Sequence, residues 1–263
     1  MNQKILCEYI AGSHSYGLAT KDSDIDMRGT YITTDLGSII NPDTADNGAT
    51  QCTTNDTKDE LYFEIRHMLN LLKKANTQSI EMLFNDKWTI ITPAFKDVIL
   101  HRKSLIDPER LYKSIRGYSF SEYKLATGIR TGKLGGKRQA AVAKYGFSPK
   151  NWINLLRLFY CAERFFEFGE FPVNLESAYI YPQLMEVKTR PERFIVSRLD
   201  EMYQEREQAF EASWVNHKDS ITAEYKYDNE LAAELMFNCY RDCLIKFSNL
   251  SLFKRLLYSL KIS

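Results

Sequence analysis

The chain has 263 residues, 44% of them hydrophobic and 13% aromatic, enough for one large domain or two small ones and too apolar for a disordered chain. Thirty-five Lys and Arg against 34 Asp and Glu leave a net charge of +1, so overall charge selects no partner, although it can conceal a local patch. No apolar run reaches the roughly 18 residues of a membrane span, and MNQKILCEYI lacks the pattern of a signal peptide.

Five scattered cysteines without a Cys-x-x-Cys pair point to reduced thiols and a cytoplasmic location. The histidines His14, His67, His101 and His217 are far apart, which argues against a zinc site.

In chain order, ILCEYIAG predicts a strand ending at Gly12, and SDIDMRGTYI a second strand. Residues 33 to 58, rich in Thr, Asn, Asp and Gly, predict a loop. DELYFEI predicts a third strand, running into a helix in which Ile65, Met68, Leu69 and Leu72 follow i, i+3, i+4, i+7 spacing, ending near Asn76. From Pro93 onward the pattern is helical, with Pro93, Pro108, Pro149 and Pro191 near the front of their helices. The chain thus predicts an α+β fold, with a small mixed α/β unit over residues 1–92 and a helical region over 93–263 packed against it and completing a cleft.

In an extended strand, Asp24 and Asp26 project to one side while Ile25 and Met27 face the other, toward a core. Two carboxylates that close repel each other, and a divalent cation removes the conflict; Mg²⁺ favours a few carboxylates plus substrate phosphates. A third carboxylate from another strand would complete a two-metal site for in-line phosphoryl or nucleotidyl transfer. Asp59, opening the third strand, is the first candidate; Glu64 is the reserve, and Glu60 faces away from Asp59. Gly12 and Ser13 suit a phosphate-holding turn between strand and helix, with Gly17 allowing the next tight turn. An EF-hand starting at Asp22 fails, since Met27 and Thr33 stand where glycine and glutamate are required. A P-loop motif is absent, and too little chain precedes Asp24 for the sugar-nucleotide half of a glycosyltransferase.

Strand, Gly12-Ser13, a short spacer, Asp24-x-Asp26 and a later acid occur in that order. The arrangement resembles the DNA polymerase β-type nucleotidyltransferase superfamily. GSHSYGLATKDSDIDMRGTYI is more specifically similar to its RNA ligase-associated branch, and the later segments DELYFEIRHMLNLLKKANTQSIEMLF and KYGFSPKNWINLLRLFYCAERFFEFGEFPV extend the likeness to about residue 213. One departure is Thr77, where the branch leads one to expect proline.

The resemblance implies a palm-like sheet core and transfer of a nucleoside monophosphate from an NTP to an acceptor hydroxyl, with pyrophosphate released. It implies Asp24, Asp26 and Asp59 as catalytic residues and as ligands of Mg²⁺ or Mn²⁺, and Gly12 and Ser13 as the nucleotide-binding pair. It makes an RNA 3′ end, in RNA repair, the first expected acceptor. Nucleotidylation of a protein or small molecule, or a degenerate nucleotide- or RNA-binding module, are the alternatives.

Between Tyr123 and Ala162 there is no Asp or Glu but eight cations: Lys124, Arg130, Lys133, Lys137, Arg138, Lys144, Lys150 and Arg157. TGKLGGKRQ predicts a mobile loop, and Tyr145, Phe147 and Trp152 are candidates to stack on bases. Lys150 and Arg157, seven apart on one predicted helix, share a face and are expected to bind the triphosphate. Arg28 shares the strand face of the acids, either to contact phosphate or to balance the carboxylates. His14 and Tyr16 lie inside the phosphate turn, where His14 either touches the nucleotide or is simply exposed.

Overall fold

A computed structural model describes residues 3–35, 39, 50–54, 58–129 and 136–248. The first strand, β1 (Gln3–Ala11), leads into a single helical turn, α1 (Gly12–Ser15), and then β2 (Ile25–Thr33), β3 (Thr50–Thr54) and β4 (Lys58–Glu64). Two helices follow, α2 (Ile65–Lys73) and α3 (Thr77–Phe84), and a two-residue strand β5 (Ile90–Ile91) ends the sheet portion. The remainder is helical: α4 (Pro93–Leu100), α5 (Pro108–Ala126), α6 (Gly136–Tyr145), α7 (Pro149–Phe168), α8 (Tyr181–Thr189), α9 (Val196–Glu224) and α10 (Asn229–Ser248). The fold is therefore α+β, a mixed sheet followed by a mainly helical region. Among the described residues, no helix is long and apolar enough to cross a membrane.

The sheet has five strands in the order β3-β4-β2-β1-β5. β1 runs antiparallel to β2, and β2 runs parallel to β4. Two expectations fail here. Residues 33–58 are not all loop, since β3 pairs antiparallel with β4 from Thr50–Phe63 to Thr54–Asp59; its threonines suit a pleated edge, although the same composition also reads as a turn. Ile25 does not reach the core and is 46% exposed, because β2 begins there at the sheet's end, while Met27 two residues on is buried.

Helix boundaries follow from caps. The Glu64 side chain accepts the Arg66 amide hydrogen and starts α2, whose Ile65, Met68, Leu69 and Leu72 are buried as their spacing predicts. Asn76 accepts from the Ser79 amide and starts α3, so Thr77 occupies the first helical position, where proline is also tolerated. Thr92 and Asp107 cap α4 and α5, each ahead of a proline. Gly169, at φ 69°, closes α7 in the left-handed conformation that glycine adopts without penalty.

Two helical expectations shift. Pro191 begins a 3₁₀ turn, Pro191–Arg193, and α9 starts only at Val196. Residues 136–139 of the expected mobile loop form the first turn of α6, whereas 130–135 lie outside the described residues. One apolar core spans sheet and helices, from Leu6 and Ile32 through Ile80 and Leu83 to Trp152, Phe159 and Phe210.

Candidate active site

The two N-terminal motifs meet because β1 and β2 are antiparallel. Ala11, the last residue of β1, stands opposite Asp26. The next residue, Gly12, takes a φ of +63°, and a Cβ built on it would lie 2.0 Å from Asp26 Oδ2. The Asp26 carboxylate is thus seated against a bare glycine Cα, which only glycine permits. The turn then closes on itself, with Ser15 Oγ and the Tyr16 amide both donating to the Gly12 carbonyl (3.0 and 3.1 Å) and the Leu18 amide to the Ser13 carbonyl (2.8 Å).

The third acid is brought in by the parallel pairing of β2 with β4, in which Asp26 stands opposite Asp59. Residues directly opposite one another on adjacent strands present side chains on the same face, so Ala11, Asp26 and Asp59 form one lateral row at the sheet's end. Asp59 Oδ1 is buried and, among the described residues, has no hydrogen-bond partner. A buried carboxylate oxygen left without a donor is costly, and a bound cation removes that cost. The donor set is hard oxygen throughout, which suits Mg²⁺ or Mn²⁺. Asp24 stands exposed just before β2. Among the described residues, no three His, Cys, Asp or Glu side chains stand close enough together to hold a metal ion, so Asp24 is not drawn into one cluster with Asp26 and Asp59.

Glu64, the reserve third acid, is spent elsewhere. Five residues from Asp59 on the same strand, it lies on the opposite face. It is buried, caps α2, and accepts from the Tyr240 hydroxyl and Arg66 Nε. Glu60, next to Asp59, likewise faces away. Arg28 lies in the row next to the acids, opposite Tyr9 and Leu61, and its Nη1 donates to the carbonyl of Met27 (3.1 Å).

Lys150 and Arg157 share α7 but not an environment. Lys150 is exposed at its first turn. Arg157 is 3% exposed; its Nη1 pairs with Glu81 Oε1 on α3 at 2.7 Å, its Nη2 donates to Asn154, and its guanidinium lies 3.9 Å from the Tyr16 ring centroid. The Tyr16 hydroxyl donates to the other Glu81 oxygen at 2.8 Å. Burial alone would lower the Arg157 pKa, but Glu81 overrides it and holds the guanidinium charged; burial likewise raises the Tyr16 pKa. Arg157 therefore supports the Gly12–Leu18 turn from behind, through Tyr16. Its distance in sequence from Glu81 hides this; the one signal is a glutamate set among Ile80, Met82 and Leu83 on a buried helix face. His14 is exposed.

The helical region holds the same turn from the other side. The Leu175 amide donates to the Tyr16 carbonyl (3.1 Å), the Tyr181 hydroxyl to Gly17 (3.1 Å) and Lys188 Nζ to Leu18 (2.5 Å). Gly17, at φ +72°, leaves room for Glu176, whose Cγ would lie 2.4 Å from a Cβ there. Burial, then the neighbouring Lys150 ammonium, lower the Lys188 pKa.

The aromatic residues of the acid-free stretch divide. Phe147 and Trp152 are fully buried core residues and do not face bases. Tyr145 carries the Lys144 ammonium 4.8 Å from its ring centroid. Beside the stretch, exposed Phe120 carries Lys124 at 4.1 Å, and Tyr118 is exposed as well. Arg130 and Lys133 lie outside the described residues, as does the side chain of Lys137.

No curated protein matches the chain. A family model does: residues 1–123, which hold the whole sheet, the Gly12 turn and all three acids, match RlaP, the RNA repair pathway DNA polymerase beta family, the branch that the N-terminal motifs resemble.

Proposed function

We propose that the protein is a metal-dependent nucleotidyltransferase that moves a nucleoside monophosphate from an NTP to a hydroxyl at an RNA 3′ end. The observation that carries this reading is the row at the sheet's end, with Gly12 against Asp26, Asp59 beside it, and Asp59 Oδ1 buried without a donor among the described residues. Asp24, Asp26 and Asp59 would hold Mg²⁺ or Mn²⁺, which supplies charge stabilisation at the transferring phosphoryl group. Gly12 and Ser13 take the triphosphate, with the exposed Lys150 as an outer cation. Arg157 contributes through Tyr16 rather than by direct contact. In the reaction the acceptor oxygen bonds to the α-phosphorus, the bond to the β-phosphate's bridging oxygen breaks, and its electron pair leaves with pyrophosphate. The hydroxyl proton passes to the Asp59 carboxylate.

The RNA acceptor is supported by the family's RNA repair description and by two cation–ring pairs, Lys124 over the exposed Phe120 and the exposed Lys144 over Tyr145. Incubating the protein with labelled NTPs, Mg²⁺ and a single-stranded RNA should label the RNA and release pyrophosphate. Binding should weaken with salt, with a slope of log affinity on log salt of roughly −2 to −3.5 for three to five phosphate contacts. Lys124→Gln with Lys144→Gln should flatten that slope. Label appearing on protein or small molecules, with no salt-dependent RNA binding, would move the acceptor to those classes.

Gly12→Ala tests the seat of Asp26. An L-residue in the left-handed conformation costs roughly 1–2 kcal/mol, and here the new methyl must also displace the Asp26 carboxylate. The apo protein should melt a few degrees lower, while the rise in Tm on adding Mg²⁺ and NTP disappears. A variant that keeps the wild-type rise would show that the acid does not depend on this contact.

A further inference from the structure

Lys188 lies outside the matched 1–123 segment and in no motif. It sits on α8 seven residues after Tyr181, with buried Leu184 between them, so the three share one helix face. That face lies against the Gly12 turn, since Tyr181 donates to Gly17 and Lys188 to Leu18. Lys188 also reaches further along the chain. Its Nζ is 2.5 Å from the Leu18 carbonyl and 3.3 Å from Ser23 Oγ, five residues on and next to Asp24.

The segment it spans has its own short links. Ser23 Oγ accepts the Thr20 amide at 2.8 Å, and the Ser23 amide donates to the Thr20 carbonyl at 3.0 Å. Those bonds close the 20–23 turn but do not tie it to anything else. Among the described residues Lys188 is the tie: one ammonium holds the buried start of the segment, Leu18, and its end, Ser23. Asp24 lies exposed, before the first residue of β2, where sheet pairing does not fix it. Asp26, by contrast, is held on both sides by β1 and β4.

We propose that Lys188 is a positioning residue that straps the Leu18–Ser23 segment and thereby sets where Asp24 stands relative to Asp26 and Asp59. A three-donor ammonium suits the task, because it can serve a carbonyl and a hydroxyl at once. The half-buried site shortens the choice of rotamers for its stem. The strap itself rests on geometry alone; its consequence for metal binding rests on the nucleotidyltransferase reading.

The test compares wild type with Lys188→Met, Lys188→Arg, Ser23→Ala and the Lys188→Met/Ser23→Ala double variant. In the metal-free full-length protein, hydrogen exchange at the amides of residues 19–24 should speed up about tenfold or more in Lys188→Met, with exchange in β1 and α7 unchanged. Binding of Mn²⁺ with a non-hydrolysable NTP analogue should weaken about tenfold or more, the usual effect of losing a group that orients a metal ligand. Lys188→Arg should restore part of both, and the double variant should bind Mn²⁺ no more weakly than Lys188→Met alone. Wild-type exchange at 19–24 in Lys188→Met would overturn the strap, as would fully additive effects of the two single changes. Should Lys188→Met fail to fold, Ser23→Ala and Lys188→Arg carry the same comparison. If wild type itself binds no Mn²⁺ with the analogue, the metal reading fails, and the exchange contrast still decides the strap.

Discussion

Asp26→Asn should lower nucleotidyl transfer by about a thousandfold or more, which is about 4 kcal/mol of barrier, while leaving the protein folded. The amide keeps the shape that fits against Gly12 Cα, so the β1–β2 corner is undisturbed. It removes the negative charge where Ala11, Asp26 and Asp59 line up. Without metal, two neighbouring carboxylates repel, so the variant's melting temperature should equal or exceed that of wild type. With Mg²⁺ and NTP, wild type should gain stability through linkage and the variant should not. Radiolabelled transfer and thermal denaturation, each with and without Mg²⁺, read both halves. Wild-type turnover in a purified, folded Asp26→Asn protein would remove Asp26 from the site.

Arg157→Met should destabilise the protein by about 3–5 kcal/mol, because it strands the Glu81 carboxylate in the interior with, among the described residues, only the Tyr16 hydroxyl as partner. For a chain of this size, that is a fall in Tm of roughly 10 °C. Glu81→Gln added to Arg157→Met should recover much of the loss, since removing both charges leaves no unpaired ion. The same pair separates support from direct contact. If Arg157 acts on the turn through Tyr16, Glu81→Gln alone should weaken NTP binding, because the turn loses its backing. If Arg157 instead touched the triphosphate, releasing it from Glu81 would leave NTP affinity intact or improve it. Calorimetric titration of NTP into the folded Glu81→Gln protein decides between them.

Much of the site is readable locally. β1, β2 and β4 fall where strand-forming runs predict them, and α2 shows its apolar stripe at 65, 68, 69 and 72. Gly12-Ser13 and Asp24-x-Asp26 fall within fifteen residues, and it is the resemblance of that ordered combination to the nucleotidyltransferase superfamily that suggests the chemistry. Period two also places Asp24 and Asp26 on one side and Glu60 away from Asp59. The same parity sets Glu64 away from Asp59, and the α2 cap then claims it.

The rest depends on pairings that local pattern does not encode. Nothing in residues 33–58 says that β4 joins β2 in parallel with β3 outside it, yet that pairing is what puts Asp59 beside Asp26. Phe147 and Trp152 look like base-stacking residues beside a basic run, and only helix packing shows them buried. Arg157 reads as a free cation until α3 supplies Glu81 across 76 residues, and Lys188 reads as an ordinary helix lysine until α8 docks on Leu18 and Ser23. Periodicity and caps are set by neighbours a few residues away, so the sequence by itself determined the elements and the acids they carry. The partner of a buried charge is set by which helices close over the sheet, and that only the tertiary structure decided.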